Sequence, residues 1–255
     1  MKVFTLFLLF VTTCLMGCNP FHVHPAETID GLIEQLSSSY WLERVVAAEA
    51  LGERGPEAKK AVPALIRVLN DKNHDVRNVA ARALGAIGDE SAKPALIEKL
   101  SDYTKFEFPT VAIALMDIGV TKSESPEVVG LLRTALRNSR EHKQIVAECL
   151  GDLGRDAIEA VPDLILALQK KDSDIHRSVL LALREIGAKR AVPHMAKFLD
   201  PQNPCYHEAL TGIGRIMDKN PAEVKNWWEN EGKFMDWEKQ DESPELPEGN
   251  SDEKP

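Results

Sequence analysis

The sequence predicts an all-α protein assembled from about six consecutive helical hairpins and closed by one further helix. Three observations lead there. Aromatic residues are only 6% of the 255 residues, against abundant Ala and Leu, a balance that favours helix over sheet. Six segments share a small residue and Leu ahead of a closing glycine: Ala50-Leu51 before Gly55, Ala83-Leu84 before Gly88, Ala114-Leu115 before Gly119, Cys149-Leu150 before Gly154, Ala182-Leu183 before Gly187 and Ala209-Leu210 before Gly214. These glycines fall 33, 31, 35, 33 and 27 residues apart, the period of stacked supersecondary units. Between them a second pattern recurs, as Val62-Pro63-Ala64-Leu65-Ile66, Lys93-Pro94-Ala95-Leu96-Ile97, Val161-Pro162-Asp163-Leu164-Ile165 and Val192-Pro193-His194-Met195, with Gly130 in place of Pro in the stretch from Val129 to Leu136.

In chain order, Lys2 precedes an uncharged stretch from Val3 to Gly17, fifteen residues long. One positive charge, a short apolar run and a small residue at its end form a secretory signal peptide. As a helix the run spans roughly 22 Å, less than the ~30 Å hydrocarbon core, so a permanent membrane span is the weaker reading. Leu15-Met16-Gly17-Cys18 resembles the lipobox of bacterial lipoproteins. The resemblance implies cleavage after Gly17 and diacylation of Cys18, which becomes the first mature residue; Val11-Thr12-Thr13-Cys14 fits the pattern worse. Two or three acyl chains anchor stably at ~0.8 kcal/mol per buried CH₂. Asn19 follows the lipidated residue, where Asp is the family's inner-membrane signal, so outer-membrane residence is preferred over inner. Residues 18–26, with His22 and His24, read as a spacer.

Residues 27–217 hold the repeats. In the first helix of each pair, Val62, Leu65, Ile66 and Leu69 follow the i, i+3, i+4, i+7 spacing of one buried face. Pro63 suits the first turn, whose amides lack helical partners. The second helix is expected to open on a capping residue such as Asp75 or Asp174, and to bury Val76, Val79, Ala80, Ala83, Leu84 and Ile87. The closing glycine then supplies a left-handed residue without Cβ strain. Gly52, Gly85 and Gly151 stand inside second helices, where glycine costs about 1 kcal/mol against Ala; close approach of a neighbouring helix offsets that. The first repeat has a degenerate first helix. In the third, Phe106, Phe108 and Pro109 replace a polar helix start, so a bent or delayed helix is expected.

Residues 218–238 contain a terminal helix opening at Pro221. Trp227 or Trp228, continued by Phe234 and Trp237, would cover the apolar face of the last repeat, since an open repeat end must be sealed; the alternative is an aromatic docking patch. Residues 239–255 form an acidic tail: Asp241 to Pro255 carries six acids and one Lys, with the composition of a disordered segment. Signal removal takes away Lys2 and no acid, moving the net charge from −9 to −10. About half of that lies in the tail, and nothing basic enough for nucleic acid remains.

These paired helices resemble HEAT repeats, specifically the phycobilisome-lyase HEAT-like type. The resemblance implies an α-solenoid of the HEAT/armadillo-like class, with second helices forming the usually concave layer. It also implies binding of another protein there through many modest contacts. No phosphate loop, nucleophile elbow or zinc spacing is present, and neither enzymatic activity nor a cofactor is expected. A metal at His22 and His24 is outweighed by the spacer reading. Deoxyhypusine hydroxylase, also a HEAT-repeat protein, uses several His-Glu pairs; this chain has only His207-Glu208 adjacent, too few for a di-iron centre. Arg44, Arg77 and Lys143 lie seven residues before Leu51, Leu84 and Leu150, and Arg177 one place off that register. They form either a basic stripe that binds a partner, with Arg77, Lys143 and Arg177 as its candidates, or a ladder paired to acids such as Asp75 and Asp174. The ladder is the preferred reading. Cys149 and Cys205 sit two repeats apart, beyond the ~7 Å limit for a disulfide.

The expected function is that of a lipid-anchored, non-catalytic scaffold or adaptor in the cell envelope. An accessory or cofactor-handling protein akin to phycobilin lyases, or a structural spacer, are the alternatives.

Overall fold

The computed structural model describes residues 28–105, 107–170 and 175–237. Every regular element among them is helical. The chain divides into two compact units, residues 1–95 and 96–255. Cys18, His22, His24, Phe106, Asp174 and the acidic tail lie outside the described residues.

The first unit holds α1 (Ile29–Gln35), α2 (Trp41–Glu53), α3 (Val62–Val68), α4 (His74–Ile87) and the start of α5 (Lys93–Leu100). Helix α1 packs on α2, α2 lies against α4, and α3 packs on α4, so each hairpin buries its stripe against the next. Val62, Leu65 and Leu69 are buried as the spacing predicts, with Ile66 half-buried. The whole α4 face, Val76, Val79, Ala80, Ala83, Leu84 and Ile87, is buried. Asp75 does not cap α4: the side chain of Asn73 accepts from the amides of Asp75 (2.7 Å) and Val76 (3.3 Å). Asn73 holds the extended backbone of a cap residue (φ −90°, ψ 128°), while Asp75 sits in the first turn, where its charge complements the helix dipole.

The second unit continues with α6 (Phe108–Ile118), α7 (Ser125–Asn138), α8 (Lys143–Asp152), α9 (Val161–Gln169), α10 (His176–Ile186), α11 (Val192–Met195), α12 (Tyr206–Ile216) and α13 (Pro221–Asn230). Second helices again lie side by side: α6 against α8, α8 against α10, α10 against α12. Helix α6 begins at Phe108, with Pro109 in its first turn; that is eleven residues before Gly119, the offset of Lys143 from Gly154 and of His176 from Gly187, so its start is not delayed relative to α8 and α10. Phe108 is fully buried and stacks on His142, ring centres 5.4 Å apart.

Short 3₁₀ segments lead into the first helices, at Gly55–Ala61 and Gly154–Ala160, and more briefly at Glu90–Ala92 and Lys189–Ala191. The sequence marks them through Ala58 and Ala61, and Ala157 and Ala160, all fully buried. At Gly55–Ala61 a spacing of three is the 3₁₀ period, so both alanines face inward; in Gly154–Ala160 the backbone kinks at Ala157 (φ −90°, ψ 16°), and the two alanines are buried on either side of that break.

Gly52 and Gly151 mark close helix approach. A Cβ at Gly52 would stand 3.1 Å from Ala83 Cα, and one at Gly151 would stand 3.1 Å from Ala182 Cα. Gly55, Gly88, Gly119, Gly154 and Gly187 all have positive φ, as the closing position predicts. Gly214 departs from that pattern. Helix α12 runs past it to Ile216, and the positive φ falls on Asp218 (51°). A Cβ at Gly214 would lie 2.8 Å from Lys219 O and 3.5 Å from both Pro221 Cγ and Val224 Cγ2. The last closing glycine therefore makes room for the segment that follows the repeats.

That segment seals the last hairpin. Helix α13, capped by Asn220 accepting from the Ala222 amide (3.0 Å), packs on α12 and buries Val224 and Trp227. Trp237 lies across both Trp227 and Trp228, with ring centres 6.3 and 6.0 Å away, and its indole N–H donates to Gly232 O (2.9 Å). Phe234 does not join the lid: it is 75% exposed, because the 3₁₀ turn Gly232–Phe234 aims it outward while reversing the chain.

Candidate interaction surfaces

The basic positions before each repeat leucine have different fates. Arg44 is 6% exposed and grips Asp71 with two nitrogens, Nε and Nη2, at 2.7 Å each, while Nη1 donates to Ser38 O (2.8 Å). It thereby ties α2 to the loop of the following hairpin. Burial pushes the Asp71 carboxyl up, but Arg44, the Asn73 amide and Lys72 together bring it below its ordinary value. Arg77 donates to the carbonyl of the same Asp71 (2.9 Å). In the second unit, Arg177 bridges α10 to α12 through Glu208 (2.9 Å). A ladder is present, but its acids are Asp71 and Glu208. Asp75 instead meets His74 of its own helix at 3.2 Å, because the cap at Asn73 turns it away from the preceding hairpin.

Lys143 stands apart from this ladder. It lines a cavity of about 290 Å³ with Leu136, Arg137, Leu166, Lys170 and Ile175. The inner wall holds Asp163 of α9, whose side chain is 3% exposed and is held by Arg133 Nε (2.8 Å), Arg137 Nε (2.5 Å) and Arg137 Nη2 (2.9 Å). Burial raises the Asp163 carboxyl, yet Arg137 and then Arg133 outweigh it and leave it below its ordinary value. Sequence reading overlooked this cluster. Its signal was an Asp where the Val-Pro-x-Leu pattern has Ala64 and the related Lys93-Pro94 segment has Ala95: an acid at a buried position needs a cation.

The outward rows of the second helices interleave carboxylates with arginines, and the carboxylates gather on α6 and α8 as Asp117, Glu148 and Asp152. On α2 and α4, Glu49, Glu53 and Arg82 flank a groove of about 300 Å³ floored by Gly52 and Ala83, with Arg82 and Glu49 paired at 2.6 Å. On α8, Glu148 accepts from Gln144 and from Ser178 of α10, both at 3.1 Å. Burial and then Glu148, Glu185 and Asp117 push the Asp152 carboxyl upward. Glu185 of α10 is neutralised by Arg184 (2.7 Å) and Arg215 (2.9 Å).

Burial, then Asp152 and Glu148, pushes the Cys149 thiol up to about 12, so it stays protonated. Cys149 and Cys205 are both free, buried thiols. Glu208 of the His207-Glu208 pair is committed to Arg177, and His207 packs edge-on to Tyr206. Among the described residues no three His, Cys, Asp or Glu side chains are grouped to hold a metal ion. No helix among them is long and apolar enough to cross a membrane.

The family model for HEAT repeats matches residues 29–112 and 129–213. The chain belongs to the HEAT-repeat family. Its repeats form an all-helical scaffold of the solenoid class, in which neighbouring hairpins share their cores. Solved HEAT-like structures agree in fold. One engineered protein matches with a TM-score of 0.57 at 22% identity, covering 74% of this chain and 96% of its own. A second engineered protein also gives 0.57, at 19% identity, covering 76% of this chain and all of its own. A Kap121p mutant gives 0.61 at 17% identity over 73% of this chain, which spans only 23% of that protein. Comparison with curated proteins finds no match.

Proposed function

We propose that this HEAT-repeat chain is a non-catalytic adaptor, tethered to the cell envelope by lipid on Cys18, that binds a cationic protein segment along the outward row of its second helices. HEAT repeats generally mediate protein–protein binding, which gives the class of activity. The observation that gives the sign of the partner is the set of carboxylates on α6 and α8. Burial, then Glu148, Glu185 of α10 and Asp117, push the Asp152 carboxyl upward, so these carboxylates stand close together. A row of like charges costs stability in the free protein, and a positively charged partner relieves that cost on binding. The sequence from Lys2 to Cys18 supports the tether, and the missing Asp at position 19 supports outer-membrane residence.

Two experiments test the two halves separately. Mass spectrometry of the protein from its native envelope is expected to find a mature N-terminus at Cys18 carrying acyl chains; an unmodified start refutes the tether. Affinity capture from detergent extracts is expected to return a stoichiometric partner whose retention falls at least tenfold with Glu148→Lys/Asp152→Lys and weakens with salt. Retention unchanged by that charge reversal refutes the binding face.

A further inference from the structure

The turn between α1 and α2 presents two aromatic rings to solvent. Tyr40 is 70% exposed and Trp41 45%. Among the described residues the other exposed large apolar side chains, Ile113, Leu166 and Phe234, stand singly, and only these two are neighbours in the chain. Val45, one helical turn on from Trp41, is half-buried, so apolar surface continues along α2. From Gln35 to Leu42 the chain carries no charged residue, and Ser37, Ser38 and Ser39 stand ahead of the rings. Apolar surface there can leave water without stripping a charge of its hydration.

The turn is also braced. Buried Arg44 donates from Nη1 to Ser38 O (2.8 Å) and Ser39 O (3.3 Å) while it grips Asp71. The Tyr40 amide donates to Ser38 Oγ (3.1 Å), and that hydroxyl donates to Glu43. The first charge after the rings is thereby drawn back onto the turn. A fixed backbone, held by the buried guanidinium, points the two rings outward. Trp227 and Trp237 seal the last hairpin, whereas no such cover lies over Tyr40 and Trp41 among the described residues.

The place of the turn in the chain decides what covers it. Cys18 stands ten residues before Thr28, at most about 35 Å of extended chain. Thr28 caps α1, its side chain accepting from the Gly31 amide (3.1 Å), and the seven residues of α1 span about 10 Å. An anchor at Cys18 thus enters the folded body through the hairpin that carries the two rings. Trp and Tyr have an apolar body and a polar tip, and they concentrate where hydrocarbon meets lipid headgroups. A braced, uncharged turn bearing that pair fits this boundary.

We propose that Tyr40 and Trp41 insert into the headgroup region of the membrane to which the chain is tethered, holding the first hairpin against the bilayer instead of letting it swing on its anchor. The contact is a second membrane signal beside the lipid. It takes zwitterionic lipid, because the turn brings no charge of its own. This inference rests on the lipid tether proposed above and is independent of the second-helix row.

Quenching of tryptophan emission by brominated lipid tests it. The mature chain, Cys18 to Pro255, is coupled through the Cys18 thiol to a maleimide lipid in phosphatidylcholine vesicles; Cys149 and Cys205 are buried and do not compete. Trp41 emission is read as the difference between this chain and Trp41→Phe, with Trp227, Trp228 and Trp237 as the constant background. Bromine on the acyl chains quenches only at near contact, and is expected to remove at least half of the Trp41 emission. Ser39→Asp puts a charge into the turn at an exposed position and should cut that loss at least threefold, and Tyr40→Ser should weaken it likewise. Circular dichroism verifies the fold of each variant. Equal Trp41 emission in brominated and plain vesicles overturns the proposal. So does quenching indifferent to both substitutions, which reduces the contact to chance collision near the surface. Trp41 emission as blue-shifted in the uncoupled chain as in vesicles also overturns it: a shift lost on dilution assigns the turn to a second copy, and one that persists assigns it to the chain's own N-terminal residues. Because the coupling is chemical, these results judge the turn alone, while native acylation is judged by mass spectrometry of the N-terminus.

Discussion

Replacing glycine by alanine inside a helix ordinarily stabilises it by about 1 kcal/mol, and this molecule offers a matched test of when that sign reverses. At Gly130, in the middle of α7 and on its exposed side, an added Cβ meets nothing within 4 Å. At Gly52 the same Cβ arrives 3.1 Å from Ala83 Cα and 3.3 Å from Ala83 Cβ; at Gly151 it arrives 3.1 Å from Ala182 Cα. Comfortable carbon–carbon separation lies near 3.5–4.0 Å, so the helix pair must part by about half an ångström. Overpacking of that kind costs about 1–3 kcal/mol. Gly130→Ala is thus expected to gain up to ~1 kcal/mol, while Gly52→Ala and Gly151→Ala end between about zero and 2 kcal/mol destabilising. Ala83→Gly in the Gly52→Ala background should restore only part of the loss, because the new methyl still presses on the backbone of residue 83. Urea unfolding followed by circular dichroism measures the effect, with hydrogen exchange in α2, α4, α8 and α10 scoring each unit separately. Equal stabilisation at all three glycines would refute the reasoning and remove close helix approach as the reason for glycine there.

Four further outcomes follow from individual interactions. Asp163→Ala removes the carboxylate that the two arginines share, leaving Arg133 with Glu159 at 3.5 Å, and its denaturation midpoint is expected to correspond to a loss of about 1–3 kcal/mol; a neutral effect would show that the cluster contributes nothing to the fold. Hydrogen bonds from Ser91 and Lys59 draw the Asp89 carboxyl down to about 2. Its contribution is therefore present above the unfolded value of ~3.9 and lost as pH falls toward 2. Asp89→Asn should flatten that acid limb and Asp89→Ala should cost about 1 kcal/mol at neutral pH through the lost cap, whereas an unaltered acid profile would rule the carboxylate out. Trp227→Ala is expected to cost about 3–5 kcal/mol and Phe234→Ala less than about 0.5 kcal/mol, with thermal melts of the two variants as the check; similar losses would contradict the cap as drawn. Cys149, held near 12, should be alkylated on the order of a thousandfold more slowly than a peptide thiol at pH 8 until the protein unfolds, and rapid labelling of the native chain would show that the site opens.

Much of the fold was readable because its signals are local. A closing glycine with positive φ is a property of one residue's backbone, and five of the six positions behave so. The buried face of α4 follows from helical spacing alone, and the place of Pro109 in the first turn of α6 from its missing amide hydrogen. The 3₁₀ segment Gly55–Ala61 was also written in the chain, as Ala58 and Ala61 three residues apart, but a reading tuned to α-helical periodicity passes over that spacing.

Charge pairing was less legible, because it depends on which loop each hairpin presents to the next. Asp71 and Asp75 are equally plausible partners for Arg44 in sequence, and only the cap at Asn73 decides that Asp71 turns toward it. The burial of Asp163 between two arginines likewise needs the lateral packing of α7 and α9.

The sequence by itself determined the class of protein: period, helix stripe and glycine punctuation act within one hairpin, and repetition forces each hairpin to lean on its neighbour. Tertiary structure decided what that stacking leaves available. It committed Arg44 and Arg177 to neighbouring hairpins and Arg77 to the loop of its own, left Lys143 and Lys170 facing a cavity, and turned Gly214 from a helix end into the seat of the terminal helix. Those outcomes depend on distances between segments far apart in the chain, which a linear pattern does not contain.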